Sequence, residues 1–167
     1  NEARHIIDTI ADQRDREVIF LRAELLLATQ QHTQAEALLR MLIEEENYEA
    51  NTYADIIDLL VDNKQTEMAN EWIDEALVSY PDNKVLLESA AYCYTQQELF
   101  DEAISIYNQL LDTDAYCTLY WEELGKIYFR REEFDKAIEA FEFVIAINGN
   151  ECHYALYAVA NCYFNIG

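Results

Sequence analysis

The amino-acid sequence predicts an all-α fold, a stack of helix-turn-helix repeats, and three observations carry that expectation. Ala35, Ala69, Ala103 and Ala137 stand 34 residues apart, each followed four residues on by a bulky side chain, Leu39, Ile73, Tyr107 and Phe141. A fixed period of that length marks a repeat architecture, in which neighbouring units bury the apolar face that one unit cannot bury alone. The chain has 3 glycines and 1 proline, little turn chemistry for a sheet protein, whereas its Ala, Leu, Ile and Glu favour helices. Hydrophobic residues make up 51% of the 167, enough for a continuous core.

In register, the repeats run 16–49, 50–83, 84–117 and 118–151, with one extra residue, Cys152, before a half repeat at 153–167. In the first helix of each, the fourth residue is Ile19, Tyr53, Leu87, Trp121 and Leu156, and the eighth is Ala23, Ile57, Ala91, Gly125 and Ala160. The eleventh is Leu26, Leu60, Tyr94, Tyr128 and Tyr163. In the second helix the alanine and the bulky residue four positions on share one face, one turn apart. A small residue opposite a ring lets two crossing helices approach closely. Pro81 and Asn148-Gly149-Asn150 read as the ends of second helices; Asp101 and Asp135 read as N-caps, and Thr33-x-x-Glu36 as a capping box. Residues 1–15, with Ala3, Ile7 and Ile10 on one stripe, read as the second helix of a truncated leading repeat, and 153–167 as the first helix of a truncated trailing one. The chain starts at Asn1 without a methionine and stops at Gly167 half-way through a repeat, so it is expected to be a fragment.

In the repeat at 118–151, Trp121, Leu124, Gly125 and Tyr128 spell W-x2-L-G-x2-Y, followed by Ala137 and Phe141 as A-x3-F. This resembles the tetratricopeptide repeat (TPR), closely at 118–151, well at 84–117 and loosely at 16–83, where Ile57 and Leu60 depart from the usual small and aromatic choices. The resemblance implies a right-handed α-α solenoid of about ten helices that serves as a protein-interaction scaffold.

Acidic residues number 33 against 11 basic, a formal charge of −22, and each full repeat has its own excess of acid. A phosphate backbone would be repelled, which argues against a nucleic-acid partner. Much of the charge can be read as solvation of outer faces. No run of 18 apolar residues and no basic-then-apolar leader appears, so no membrane association is expected. Cys93 and Cys162 fall at the tenth residue of their repeats, a packing position, while Cys117 and Cys152 fall at turns between repeats. With no C-x-x-C pair, a zinc site is not expected, and equivalent points on stacked repeats lie beyond the ~7 Å limit for a disulfide. Free thiols fit a reducing compartment and point to the cytoplasm.

An enzyme is not expected. His5, His32 and His153 are scattered, no Gly-rich phosphate cradle occurs, and Glu122-Glu123 and Glu132-Glu133 are sequence neighbours whose side chains diverge on a helix or turn. No cofactor is implied. A binding surface is legible instead. With the fourth, seventh, eighth and eleventh residues of each first helix in the core, the second, fifth, ninth and twelfth form a separate stripe. In a TPR-like stack that stripe lines the concave groove. It carries Glu17, Phe20, Glu24, Asp58 and Glu88, with Leu27, Val61 and Thr95 at its twelfth positions. Further along come Tyr92, Glu122, Lys126, Phe129, Tyr154, Tyr157, Asn161 and Phe164. The stripe is acidic at one end and aromatic at the other, which predicts a peptide or partner helix with basic and apolar residues. Tyr154, Tyr157 and Phe164 have a second reading, as core that a following helix would cover. TPR modules that grip a chaperone's acidic tail use Lys, Asn and Arg on this stripe, and here acids hold most of those places, so such a tail would be repelled. Two further possibilities stand: self-assembly through exposed end helices, giving a homo-oligomer, and a regulatory segment of a larger enzyme or signalling protein.

Overall fold

A computed structural model describes residues 15–149 and 152–167. The helix expected in residues 1–15 lies outside them apart from Asp15, and so does Asn150. Among the described residues the secondary structure is nine α-helices and no strand: α1 Arg16–Ala28, α2 His32–Glu45, α3 Ala50–Asp62, α4 Thr66–Ser79, α5 Lys84–Gln96, α6 Phe100–Thr113, α7 Thr118–Arg130, α8 Phe134–Asn148 and α9 His153–Ile166. The fold is an α-α solenoid of helical repeats. Contacts divide it into two bodies, one ending at Cys93 and one beginning at Tyr94, so the division falls within α5. In the first body α1 packs on α2 and α3 on α4; in the second, α6 packs on α7, α7 on α8 and α8 on α9.

The turn inside each helix pair is built from backbone. Gln30, Lys64, Glu98 and Glu132 adopt left-handed φ values of 59°, 59°, 61° and 60°. In the first of these turns the Gln30 N–H donates to the Leu27 carbonyl and the Gln31 N–H to that of Leu26, the bond pair of a Schellman motif. Lys64-Gln65, Glu98-Leu99 and Glu132-Glu133 repeat it. The position usually asks for glycine, since a left-handed L-residue costs roughly 1–2 kcal/mol, yet all four here are long polar residues. The residue that closes one helix is also the N-cap of the next: Gln31, Gln65, Leu99 and Glu133, none with a side-chain capping bond. This corrects the expected caps. Asp101 and Asp135 lie in the first turns of α6 and α8, where their charge complements the helix dipole, and Thr33 is the second residue of α2. Glu36 pairs with Arg40 one turn along at 3.9 Å instead of closing a box.

The core takes more of each first helix than the motif positions. Third residues are buried too: Val18, Thr52, Leu86, Tyr120 and Ala155. So are the twelfth residues Leu27, Val61 and Thr95, which therefore line no groove. Cys93 and Cys162 are fully buried, as their packing position requires. Gly125 of α7 meets Phe141 of α8 so closely that an added Cβ would lie 2.7 Å from the ring. In the first body Tyr53 meets Trp72 edge to face at 5.8 Å and donates its hydroxyl to Glu75 at 2.7 Å. Arg40 lies 3.9 Å over the Trp72 ring and also pairs with Glu75. Burial alone would raise the Glu75 pKa; the hydrogen bonds from Tyr53 and Arg40, with the Arg40 charge, outweigh it and lower the value.

Candidate functional site

Each body has a cavity on its first helices, and eight of the thirteen sequence-predicted residues line one or the other, while Glu17, Phe20, Glu24, Glu122 and Phe164 line neither. In the first body Asp58 and Asp62 of α3 face Val85, Glu88, Ser89 and Tyr92 of α5 across a cavity of about 420 Å³. The Ser89 hydroxyl donates to Asp58. Burial nevertheless raises the Asp58 pKa, and the charges of Asp55 and Asp62 push the same way. Tyr92 is 41% exposed; burial raises its pKa, as do the charges of Asp62 and Asp58. A half-buried carboxylate under like-charge pressure is relieved by an incoming cation, and the phenol ring beside it offers a face to the cation's stem. Glu17 and Glu24 of α1 are exposed and Phe20 is half-buried beneath the Arg16 guanidinium, 5.5 Å from its ring centre; none of the three lines this cavity.

In the second body Lys126, Phe129 and Arg130 of α7, with Phe141 of α8, face Tyr154, Tyr157, Ala158 and Asn161 of α9 around about 400 Å³. Phe141 meets Tyr154 edge to face at 6.1 Å and Phe129 meets Phe134 at 5.5 Å. The two cations are already engaged. Lys126 bonds Glu123 at 2.7 Å and Glu122 at 2.9 Å, with its ammonium 5.6 Å from the Tyr154 ring centre. Burial alone would lower the Lys126 pKa, but the bonds and charges of Glu123 and Glu122 raise it. Arg130 bonds Glu98 at 2.7 Å, reaches the Thr95 carbonyl at 3.4 Å and lies 4.8 Å over the Phe100 ring. Phe164 is 85% exposed and is not part of this wall; Leu156, Tyr163 and Ile166 of the same helix are also exposed.

The two cavities hold the same register. Asp58 and Lys126 are ninth residues, Asp62 and Arg130 thirteenth, Val85 and Tyr154 second, Glu88 and Tyr157 fifth, Ser89 and Ala158 sixth, Tyr92 and Asn161 ninth. Sequence reasoning assigned no role to the thirteenth and sixth positions. The signal was available, since the thirteenth residue stands one turn beyond the ninth on the same face.

No protein-family model matches the chain, and no curated protein matches it by sequence. Solved structures do match. BtubC from P. vanneervenii superimposes with a TM-score of 0.69 at 17% identity, covering 99% of this chain and 79% of its own. MamA of MSR-1 gives 0.67 at 16% identity over 93% and 88% of the two chains, and MamA of Desulfovibrio magneticus RS-1, from residue 41 on, gives 0.61 at 16% over 81% and 77%. Such likeness establishes the helical-repeat fold. Among the described residues no helix is long and apolar enough to cross a membrane, and no cluster of three His, Cys, Asp or Glu is placed to hold a metal ion.

Proposed function

We propose that the chain is a non-enzymatic scaffold that binds a peptide or helix of a partner protein on its first-helix faces, through basic and apolar residues of that partner. The observation that carries this reading is the cavity of Asp58, Asp62 and Glu88 with Tyr92, in which a desolvated carboxylate lies beside an aromatic ring. A lysine or arginine there would replace like-charge repulsion with attraction and lay its alkyl stem on Tyr92 and Val85. The surrounding negative charge would speed the encounter. The family resemblance points to the same surface.

A random peptide library selected on the purified chain should return sequences rich in Lys and Arg. Their affinity, read by fluorescence anisotropy, should fall about tenfold or more in Asp58→Lys and in Glu88→Lys. It should fall again when salt is raised from ~0.15 to ~0.5 M, as the screening length shortens. Selected peptides whose affinity is unchanged in both variants would refute the reading.

A second reading rests on α9. Leu156, Tyr163 and Ile166, exposed at 42%, 57% and 50%, give that helix an apolar face suited to association with another copy. Light scattering over a concentration series tests it, and a monomer at every concentration rules it out for this chain.

A further inference from the structure

The register shared by the two cavities lets their side chains be compared position by position. At the ninth and thirteenth positions of the leading helix, two aspartates in the first body become Lys126 and Arg130 in the second. At the second and fifth positions of the following helix, Val85 and Glu88 become Tyr154 and Tyr157. We infer that the cavity walled by Phe129, Phe141, Tyr154 and Tyr157 takes one aromatic side chain of a partner peptide, flanked by neutral or basic residues, and rejects a carboxylate. This deepens the peptide-binding reading and rests on it.

Three observations argue for a ring. The walls are four aromatic side chains in mixed orientations, with Phe141 and Tyr154 already edge to face, and a fifth ring adds contacts of the same kind. Lys126 and Arg130 line the cavity as well, and with their charged heads held by glutamates they offer a ring their alkyl stems. Asn161 places an amide on the wall that can accept from an indole N–H or a phenol O–H.

The same cations argue against a carboxylate, although two cations and an asparagine look at first like an acid clamp. Lys126 is held by Glu122 and Glu123, and Arg130 by Glu98. An incoming carboxylate would meet three glutamates around two cations and would have to displace one of them. An uncharged ring meets no such competition. Basic residues on either side of it complement the surplus glutamate, which fixes the chemistry of the whole segment.

The probes are N-acetyltryptophanamide and sodium acetate, titrated separately into the ¹⁵N-labelled chain and followed by amide chemical shifts. The tryptophan probe should move the amides of Phe129, Ala158 and Asn161 saturably, with a Kd on the order of 1 mM, and acetate should not. Tyr157 is 68% exposed, so Tyr157→Ala keeps the fold while weakening the tryptophan probe about five- to thirtyfold. Lys126→Gln, which keeps the side-chain stem, should change it by less than about threefold, because the ammonium gives only a weak ring contact. Acetate saturating the same amides, no saturable shift from the tryptophan probe, or loss of its binding in Lys126→Gln would each overturn the assignment. Failure here leaves the Asp58→Lys and Glu88→Lys results on basic peptides intact, so the two readings fall separately.

Discussion

Replacing Gly125 with alanine measures how closely α7 and α8 must approach. A Cβ at Gly125 would stand 2.7 Å from two Phe141 ring atoms and 2.9 Å from a third. The ring is 2% exposed and sits in a cluster with Ala137, Val144 and Ala155, so it has little room to retreat. Overpacking of this kind costs about 1–3 kcal/mol. The substitution also gains about 1 kcal/mol, because glycine is the poorer residue inside a helix. Three ring contacts under 3.0 Å in a closed cluster put the overpacking in the upper part of that range, so the net expectation is destabilisation of about 1–2 kcal/mol, which for a chain of this length lowers the melting temperature by roughly 2–8 °C. Urea and thermal unfolding followed by circular dichroism would read it. Phe141 also meets Tyr154 on the cavity wall, so the amide of Tyr154 should shift in the same variant. In a double-mutant cycle, Phe141→Leu should recover part of the loss, because it removes the ring that the new methyl strikes. A Gly125→Ala chain as stable as the parent, or more so, would refute the argument from close approach.

Glu132 holds a left-handed φ of 60°, and Glu132→Gly should raise stability by about 0.5–1 kcal/mol, the relief of backbone strain exceeding the entropy that glycine adds to the unfolded chain; an unmoved or lowered urea midpoint would count against it. Tyr53→Phe removes a 2.7 Å hydrogen bond to Glu75 and should cost about 0.5–1.5 kcal/mol. Because the folded Glu75 pKa is lowered, its contribution is present above the ordinary carboxylate range and is lost as pH falls through the folded value. The variant should therefore show a shallower acid limb in a pH series of urea midpoints, and an unchanged limb would contradict the assignment. Asp58 is the opposite case: its folded pKa is raised, so its charged form opposes folding at neutral pH, and that opposition fades as pH falls through the folded value. Asp58→Asn should leave stability at pH 7 unchanged or higher by up to about 1 kcal/mol, within the range of single-site effects, while weakening basic peptides; a clear loss of stability would sink the repulsion argument.

The fold class was legible because the period repeats a physical necessity, a small residue wherever two helices cross. Gly125 under Phe141 is that necessity seen in atoms. The turns inside the helix pairs were less legible. Their left-handed residues are Gln30, Lys64, Glu98 and Glu132, none the glycine or asparagine that announces such a turn, and their neighbours cap through backbone alone. Side-chain capping rules therefore pointed two residues too far, to Asp101, Asp135 and Thr33. A stripe drawn at fixed spacing includes Asp58, Glu88, Tyr92, Lys126, Tyr154, Tyr157 and Asn161 of the two linings, but equally Glu17, Phe20, Glu24 and Glu122, which line neither. It could not tell that Leu27, Val61 and Thr95 turn inward, because burial of the twelfth residue depends on the neighbouring helices. Nor could it see that Arg130 pairs with Glu98, 32 residues away, whereas the pairing of Lys126 with Glu122 and Glu123 one turn back was readable from spacing.

The doubly used turn residue also bears on how such a chain can change length. Gln31, Gln65, Leu99 and Glu133 each finish one helix and begin the next, with no residue between the two duties. A single insertion at that joint would rotate the following helix by about 100° and bring its charged side into the core. Insertions and deletions should therefore be lethal at the joints and tolerated where the second helices end. The last full repeat differs there: α8 has 15 residues where α2, α4 and α6 have 14, and it is longer at its C-terminal end.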